Sequence, residues 1–346
     1  MRITLTCATL VAALNLAAPL PALAQAHYHL APQKGAEKYG AYYPVAITDY
    51  GLAAGTLVNN AAGTNYAYYS EGKFVSEIDF CSTIGAANST VLNGISRDAA
   101  LSYTVGVCNG THFGYVYNNA ANTSTTVQYP GAISTFPYGV NANGVIVGEW
   151  DGPVAHGFSL VGGTYTSIEA PGAYYTVALG VTDQGAIFGN YYVTSSANYG
   201  FVLAATGAFT TINYPGSAYT GLTGLNSQNM AVGLYEDASG PQHAFAWQNG
   251  TYMEAPLRGA TSSRATAVND NGDVAGWYVD ASNTQFGFVW QPATNQVIKV
   301  NAPKNSRGIT VTGINNTHAQ ITGSYVDPST RETIGFIGTC TGADCF

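Results

Sequence analysis

Of the chain's 346 residues only 9% are charged, and 19 acidic against 11 basic residues give a formal charge of −8. Nucleic acid and anionic lipid are bound through clustered Lys and Arg, so this balance argues against both as partners. Glycine (41) and tyrosine (25) are abundant, which leaves surface polarity to hydroxyls and amides.

The chain opens on an export signal: Arg2, the apolar run "LVAALNLAAPLPALA", and the small-residue cleavage site Ala22-Leu23-Ala24. Asn15, Pro19 and Pro21 interrupt the run and no stop-transfer pattern follows, so it does not read as an anchor. The expected organisation is a signal peptide at 1–24, an N-terminal segment at 25–45 and repeats at 46–346. The exported chain is expected to begin near Gln25, to be secreted or periplasmic, and to carry no membrane span.

Cys7 leaves with the signal, and Cys81, Cys108, Cys340 and Cys345 remain. In an oxidising compartment they are expected to pair, and proximity favours Cys81–Cys108 with Cys340–Cys345. No CxxC and no paired-histidine spacing are present, so no metal and no cofactor are expected.

From Ala46 the sequence repeats. "AITDYGLAAG" is followed by "GVNANGVIVG" from Gly139, "GVTDQGAIFG" from Gly180, "GLNSQNMAVG" from Gly224, "AVNDNGDVAG" from Ala267 and "GINNTHAQITG" from Gly313. A weaker copy, "GISRDAALSY", starts at Gly94, so seven starts fall 41 to 48 residues apart. Within a unit, four short runs of alternating apolar residues are separated by turn signals, as in "ATAVN", "DVAGWYV", "QFGFVW" and "QVIKVNAP". Four strands per unit, repeated about seven times, predict an all-β fold: a β-propeller of about seven four-stranded blades. The last unit stops after "TIGFIGTCTGADCF" with no fourth run, and "HYHLAPQKGA" before the first repeat reads as the strand that closes the ring.

The third run of each unit holds Tyr66, Phe113, His156, Tyr199, His243, Phe286 or Ile334 before a small residue, with an aromatic two positions later. A slot that takes Tyr, Phe and Ile wants bulk, so His156 and His243 are expected to pack rather than react. The later aromatic is expected to fill the space between neighbouring blades.

"QHAFAW", "HGFSL" and the "G(I/V/L)N…G…VG" openings resemble the bacterial extracellular HAF-repeat proteins. The resemblance covers the chain from Ala46 onward and implies secretion and a propeller-like array, but no catalytic residues. Unit two departs from it: "SRDAALSY" stands where Asn-Gly and the second-strand glycine are expected.

Antiparallel strands put the first-to-second and third-to-fourth turns on one face. The second-to-third loops and inter-unit connections gather on the other. That second face is expected to carry Trp150, Asp151, Tyr174, Tyr175, Tyr219, Asp237, Arg264, Asp280, Arg307 and Asp327, the candidate ligand-binding residues. Each Asp also fits a plain turn-capping role.

Catalytic signatures are few. HExxH, GxSxG and a phosphate loop are missing; Ser70-Glu71-Gly72-Lys73 matches SxxK but reads as a hairpin, and "NDNGD" at 269–273 reads as a turn rather than half a calcium loop. The expected function is a secreted, non-catalytic binding module for a glycan or protein. The alternative is a propeller enzyme acting on polysaccharide through Asp237 or Asp280.

Overall fold

The computed structural model describes residues 26–33, 41–59, 63–71, 74–84, 89–98, 100–108, 110–317, 319–342 and 345. The expected signal segment lies outside them, as do 34–40 and the 72–73 pair of the SxxK match. Among the described residues the fold is all-β apart from one short helix, Phe80–Thr83, capped by Asp79. No helix among the described residues is long and apolar enough to cross a membrane.

The strands fall into antiparallel groups at the spacing of the repeat, called units here: 41–78, 90–127, 134–168, 175–212, 220–254, 260–300 and 307–341. Six have four strands each. The last has three of its own, and His27–Pro32 runs antiparallel to its final strand, Thr333–Thr341, from His27 opposite Thr341 to Pro32 opposite Phe336. The units form six sheets instead of about seven separate blades. Five sheets are four-stranded, and the sixth has eight strands because one parallel pair, Ala41 opposite Thr333, couples the first unit to the last.

Four sequence slots explain why every unit folds alike. The first strand is bulged at the same place in all seven, at Val45, Asn93, Tyr138, Leu179, Thr223, Thr266 and Thr312. A bulge bends the strand and re-aims one side chain. The residue after it is Gly or Ala because neighbouring first strands meet there: a Cβ on Gly139 would press on Gly180 Cα, and one on Gly313 on Ala46 Cα. In the second strand a glycine lies under the first-strand carbonyl, as Gly148 does under Phe136 O. Finally, the third-strand aromatics Tyr68, Tyr115, Phe158, Phe201, Phe245, Phe288 and Phe336 are all fully buried, as the sequence predicts.

Unit two keeps the pattern by lengthening its turn. Ser96 N donates to Tyr103 O, whereas Asn141 N donates to Val145 O in unit three, so the extra residues loop out and Gly106 takes the second-strand glycine place. The expectation that "SRDAALSY" replaces that glycine is corrected accordingly. Both favoured disulfides are present: Cys81–Cys108 ties the short helix to unit two, and Cys340 pairs with Cys345.

Candidate functional site

The first strands of all seven units line a shared cavity of about 270 Å³. Its two ends differ in chemistry.

At the end formed by the first-to-second turns, polar groups are spent on neighbours. One Ser, Thr or Asn per unit opens the turn, and its side-chain oxygen accepts from the backbone across it, as Asn226 Oδ1 does from Met230 N and Thr182 Oγ1 from Ala186 N. Where this residue is Asn, the amide also donates to the next unit: Asn141 to Thr182 O, Asn226 to Asn269 O, Asn269 to Asn315 O and Asn315 to Thr48 O. The following residue repeats the device, with Asp183, Asp270, Asn316 and Asp49 accepting from the preceding unit's backbone. "NDNGD" belongs to this set as a turn, as expected: Asn269 Oδ1 accepts from Asp273 N at 2.8 Å.

Arg97, from the long turn of unit two, reaches across the cavity. Its Nη1 donates to Val268 O at 3.0 Å and its Nη2 to Ile314 O at 2.6 Å. Burial lowers its pKa, and Asp49, Asp270 and Asp183 oppose that shift.

The end facing the second-to-third loops is built differently. Tyr138, the bulge residue of unit three, lines the cavity and donates to Glu149 Oε1 at 2.7 Å. Tyr175, entering unit four, donates to Glu149 Oε2 at 2.5 Å. Glu149 is 8% exposed. Burial and then the Glu149 carboxylate push both tyrosine hydroxyls well above their usual pKa, with Asp151 adding a weaker push. Tyr192 stands edge-on to Tyr175 (centroids 5.3 Å, 78°) and tilted to Tyr174 (6.4 Å, 54°). Burial raises the Tyr192 pKa, and the neighbouring Tyr219 adds to the shift. Tyr174 is 47% exposed.

The ten candidates therefore separate. Tyr174, Tyr175 and Tyr219 come together through Tyr192, with Asp151 in electrostatic reach. Trp150 belongs elsewhere, because side chains alternate along a strand and it points away from Glu149. It is sandwiched between Tyr129 and His156, each 4.4 Å away. Asp237, Asp280 and Asp327 each accept from a serine two residues on, Ser239, Ser282 and Ser329, so all three cap their turns. Arg264 and Arg307 are exposed and form no ion pair among the described residues.

Packing alone does not describe the two histidines. His156 stacks on Trp150 and His243 on Tyr235, as bulk requires. However, His156 Nδ1 lies 2.7 Å from Glu169, and His243 has Asp237 at 2.8 Å and Glu254 at 3.5 Å. The Ser239 hydroxyl, then His243, hold the Asp237 carboxyl down at a pKa of about 2.

Against known structures the chain is propeller-like. One likeness is to a prolyl endopeptidase (TM-score 0.59, 12% identity, 88% of this chain and 50% of that one). Another is to a puromycin-hydrolysing peptidase of Mycobacterium tuberculosis (0.58, 9%, 85% and 54%). A third is to a chain of the mitotic checkpoint complex (0.52, 11%, 97% and 99%). The chain spans about half the length of the two peptidases, and at these identities the likeness is one of fold. No family model and no curated protein matches the sequence.

Tyr138, Glu149 and Tyr192 are absent from the sequence candidates, although one signal for Glu149 exists. The slot after the second-strand glycine reads Thr56, Val107, Glu149, Asn190, Leu234, Trp277 and Ser324, with a single ionisable member. In other units it serves the framework: Thr56 Oγ1 accepts from Leu92 N and Asn190 Oδ1 from Leu222 N. In unit three it holds a carboxylate between tyrosines.

Proposed function

We propose that the protein is a secreted, non-catalytic binding propeller of the HAF-repeat kind, which takes its ligand at the Tyr138–Glu149–Tyr175–Tyr192 site. In this reading the eight-stranded sheet counts as two blades, and His27–Pro32 closes a ring of seven. Supporting closure, Asn315 and Asn316 of the last unit bond Thr48 and Asp49 of the first. Two disulfides fit an oxidising compartment.

The observation that carries the binding reading is a buried carboxylate held by two tyrosines, one of which, Tyr138, lines the cavity, with the exposed ring of Tyr174 nearby. Such rings offer apolar faces with polar tips, suited to a glycan or a protein surface. The enzymatic alternative is weaker. Its proposed acids, Asp237 and Asp280, are stabilised as carboxylates by turn donors, which opposes a general-acid role. A glycan array and a pull-down with the purified exported protein test the reading. Tyr175→Ala and Tyr219→Ala are expected to weaken any captured ligand, while Thr206→Ala, in a third-to-fourth turn of the opposite face, is not. Loss with Thr206→Ala alone would place binding on the other face.

A further inference from the structure

We infer that the site around Glu149 receives an alkylammonium group, brought by a lysine side chain of a peptide or by a small free amine. The inference rests on the reading that this face binds ligand, and adds the ligand's chemistry.

Charge is the first argument. Both Glu149 oxygens accept from tyrosine hydroxyls, which are neutral donors, and Asp151 adds a second negative charge nearby. No Lys or Arg pairs with either carboxylate among the described residues, where the ion pairs are those of His156 and His243. A buried carboxylate without a counter-charge is unfavourable, so a bound cation is stabilised there. The chain's charge of −8 steers cations toward it.

Ring geometry is the second, independent argument. Tyr174, Tyr175 and Tyr192 meet at steep angles, 54° and 78°, so they wall a corner instead of forming a flat platform. A corner of aromatic faces fits a compact cation, whereas a sugar ring wants a platform and available hydroxyls. Here the hydroxyls of Tyr138 and Tyr175 are committed to Glu149. Donation to a carboxylate also enriches a phenol ring in electrons, which strengthens its hold on a cation. The chain uses the same contact internally, with Lys299 Nζ 3.3 Å from the centroid of Phe286.

The test is calorimetric titration of the exported protein with four probes. These are tetramethylammonium chloride, a short peptide carrying one trimethyl-lysine, the same peptide with plain lysine, and the peptide with the neutral tert-butyl isostere. At least one charged probe is expected to bind, and the isostere about 10-fold or more weaker than the trimethyl-lysine peptide. Binding of tetramethylammonium identifies a free amine as sufficient; binding of peptides alone assigns the source to lysine. Glu149→Gln and Tyr192→Leu are each expected to cost about 10-fold or more, with Tyr192→Phe, which keeps the ring, close to the parent protein. Equal binding of the isostere, an unaffected Glu149→Gln, or no binding of any charged probe overturns the inference. If a neutral glycan then binds and is lost in Tyr175→Ala, the face reading survives; if nothing binds, that reading falls as well.

Discussion

The two ends of the cavity are made by the same seven strands, yet they spend their polar groups in opposite ways. At the turn end, asparagines, aspartates and Arg97 are bonded to backbone of a neighbouring unit or of units across the cavity. At the loop end, Glu149 and Asp151 have no cationic partner among the described residues, and an aromatic ring is left in water. Polar groups satisfied within the chain hold the units together, and those left unmatched in charge are available to a ligand. That contrast separates framework from site where residue type alone does not, since both ends contain carboxylates.

The contrast can be broken experimentally. The largest effect is expected in the packing between units, away from either end: Phe245→Ala should cost about 3–5 kcal/mol in denaturant unfolding. Next, Arg97→Met removes two hydrogen bonds to buried carbonyls and should cost about 1–3 kcal/mol while leaving ligand affinity unchanged. Lost affinity with an unchanged melting curve would mean that the turn end also binds. Glu149→Gln should do the reverse, shifting stability by less than about 1 kcal/mol, since shape and burial are kept, while weakening binding about 10-fold or more.

The smallest effect concerns His243 and Asp237. His243→Phe keeps the stack on Tyr235 and removes an ionic partner, so stability should change only modestly and the Asp237 carboxyl should titrate at higher pH by NMR. Because the folded pKa of Asp237 is depressed to about 2, its contribution is present above the ordinary carboxyl range and is lost as pH falls through about 2. A carboxyl that titrated at its ordinary value in the parent protein would show that the Ser239 and His243 bonds do not hold it.

Much of this was legible in the sequence because it is periodic. The small residue that starts each repeat, the second-strand glycine and the third-strand aromatic each have one steric cause repeated seven times, and repetition exposes the cause. The bulge at Tyr138 and its counterparts left no such mark, because a register shift depends on the partner strand and its slot accepts Val, Asn, Tyr, Leu and Thr. Glu149 leaves no periodic mark for the opposite reason: it is an exception within a slot, visible only against the other six units. Strand alternation alone sets Trp150 on the side opposite Glu149 and Asp151. The coupling of the first and last units by Ala41 and Thr333 is a single backbone pair, and no side-chain pattern announces it.

The pairing of His27–Pro32 with Thr333–Thr341 sets an order of assembly. One strand leaves the ribosome among the first of the described residues and its partner among the last. Until both exist, Thr333–Thr341 has no neighbour on that edge, and the intervening units must wait with an unfinished seam. Contacts between residues so far apart in sequence form slowly, since the chain must first close the largest loop available to it. The seam between the first and last units is therefore expected to be the slowest part of the fold to form.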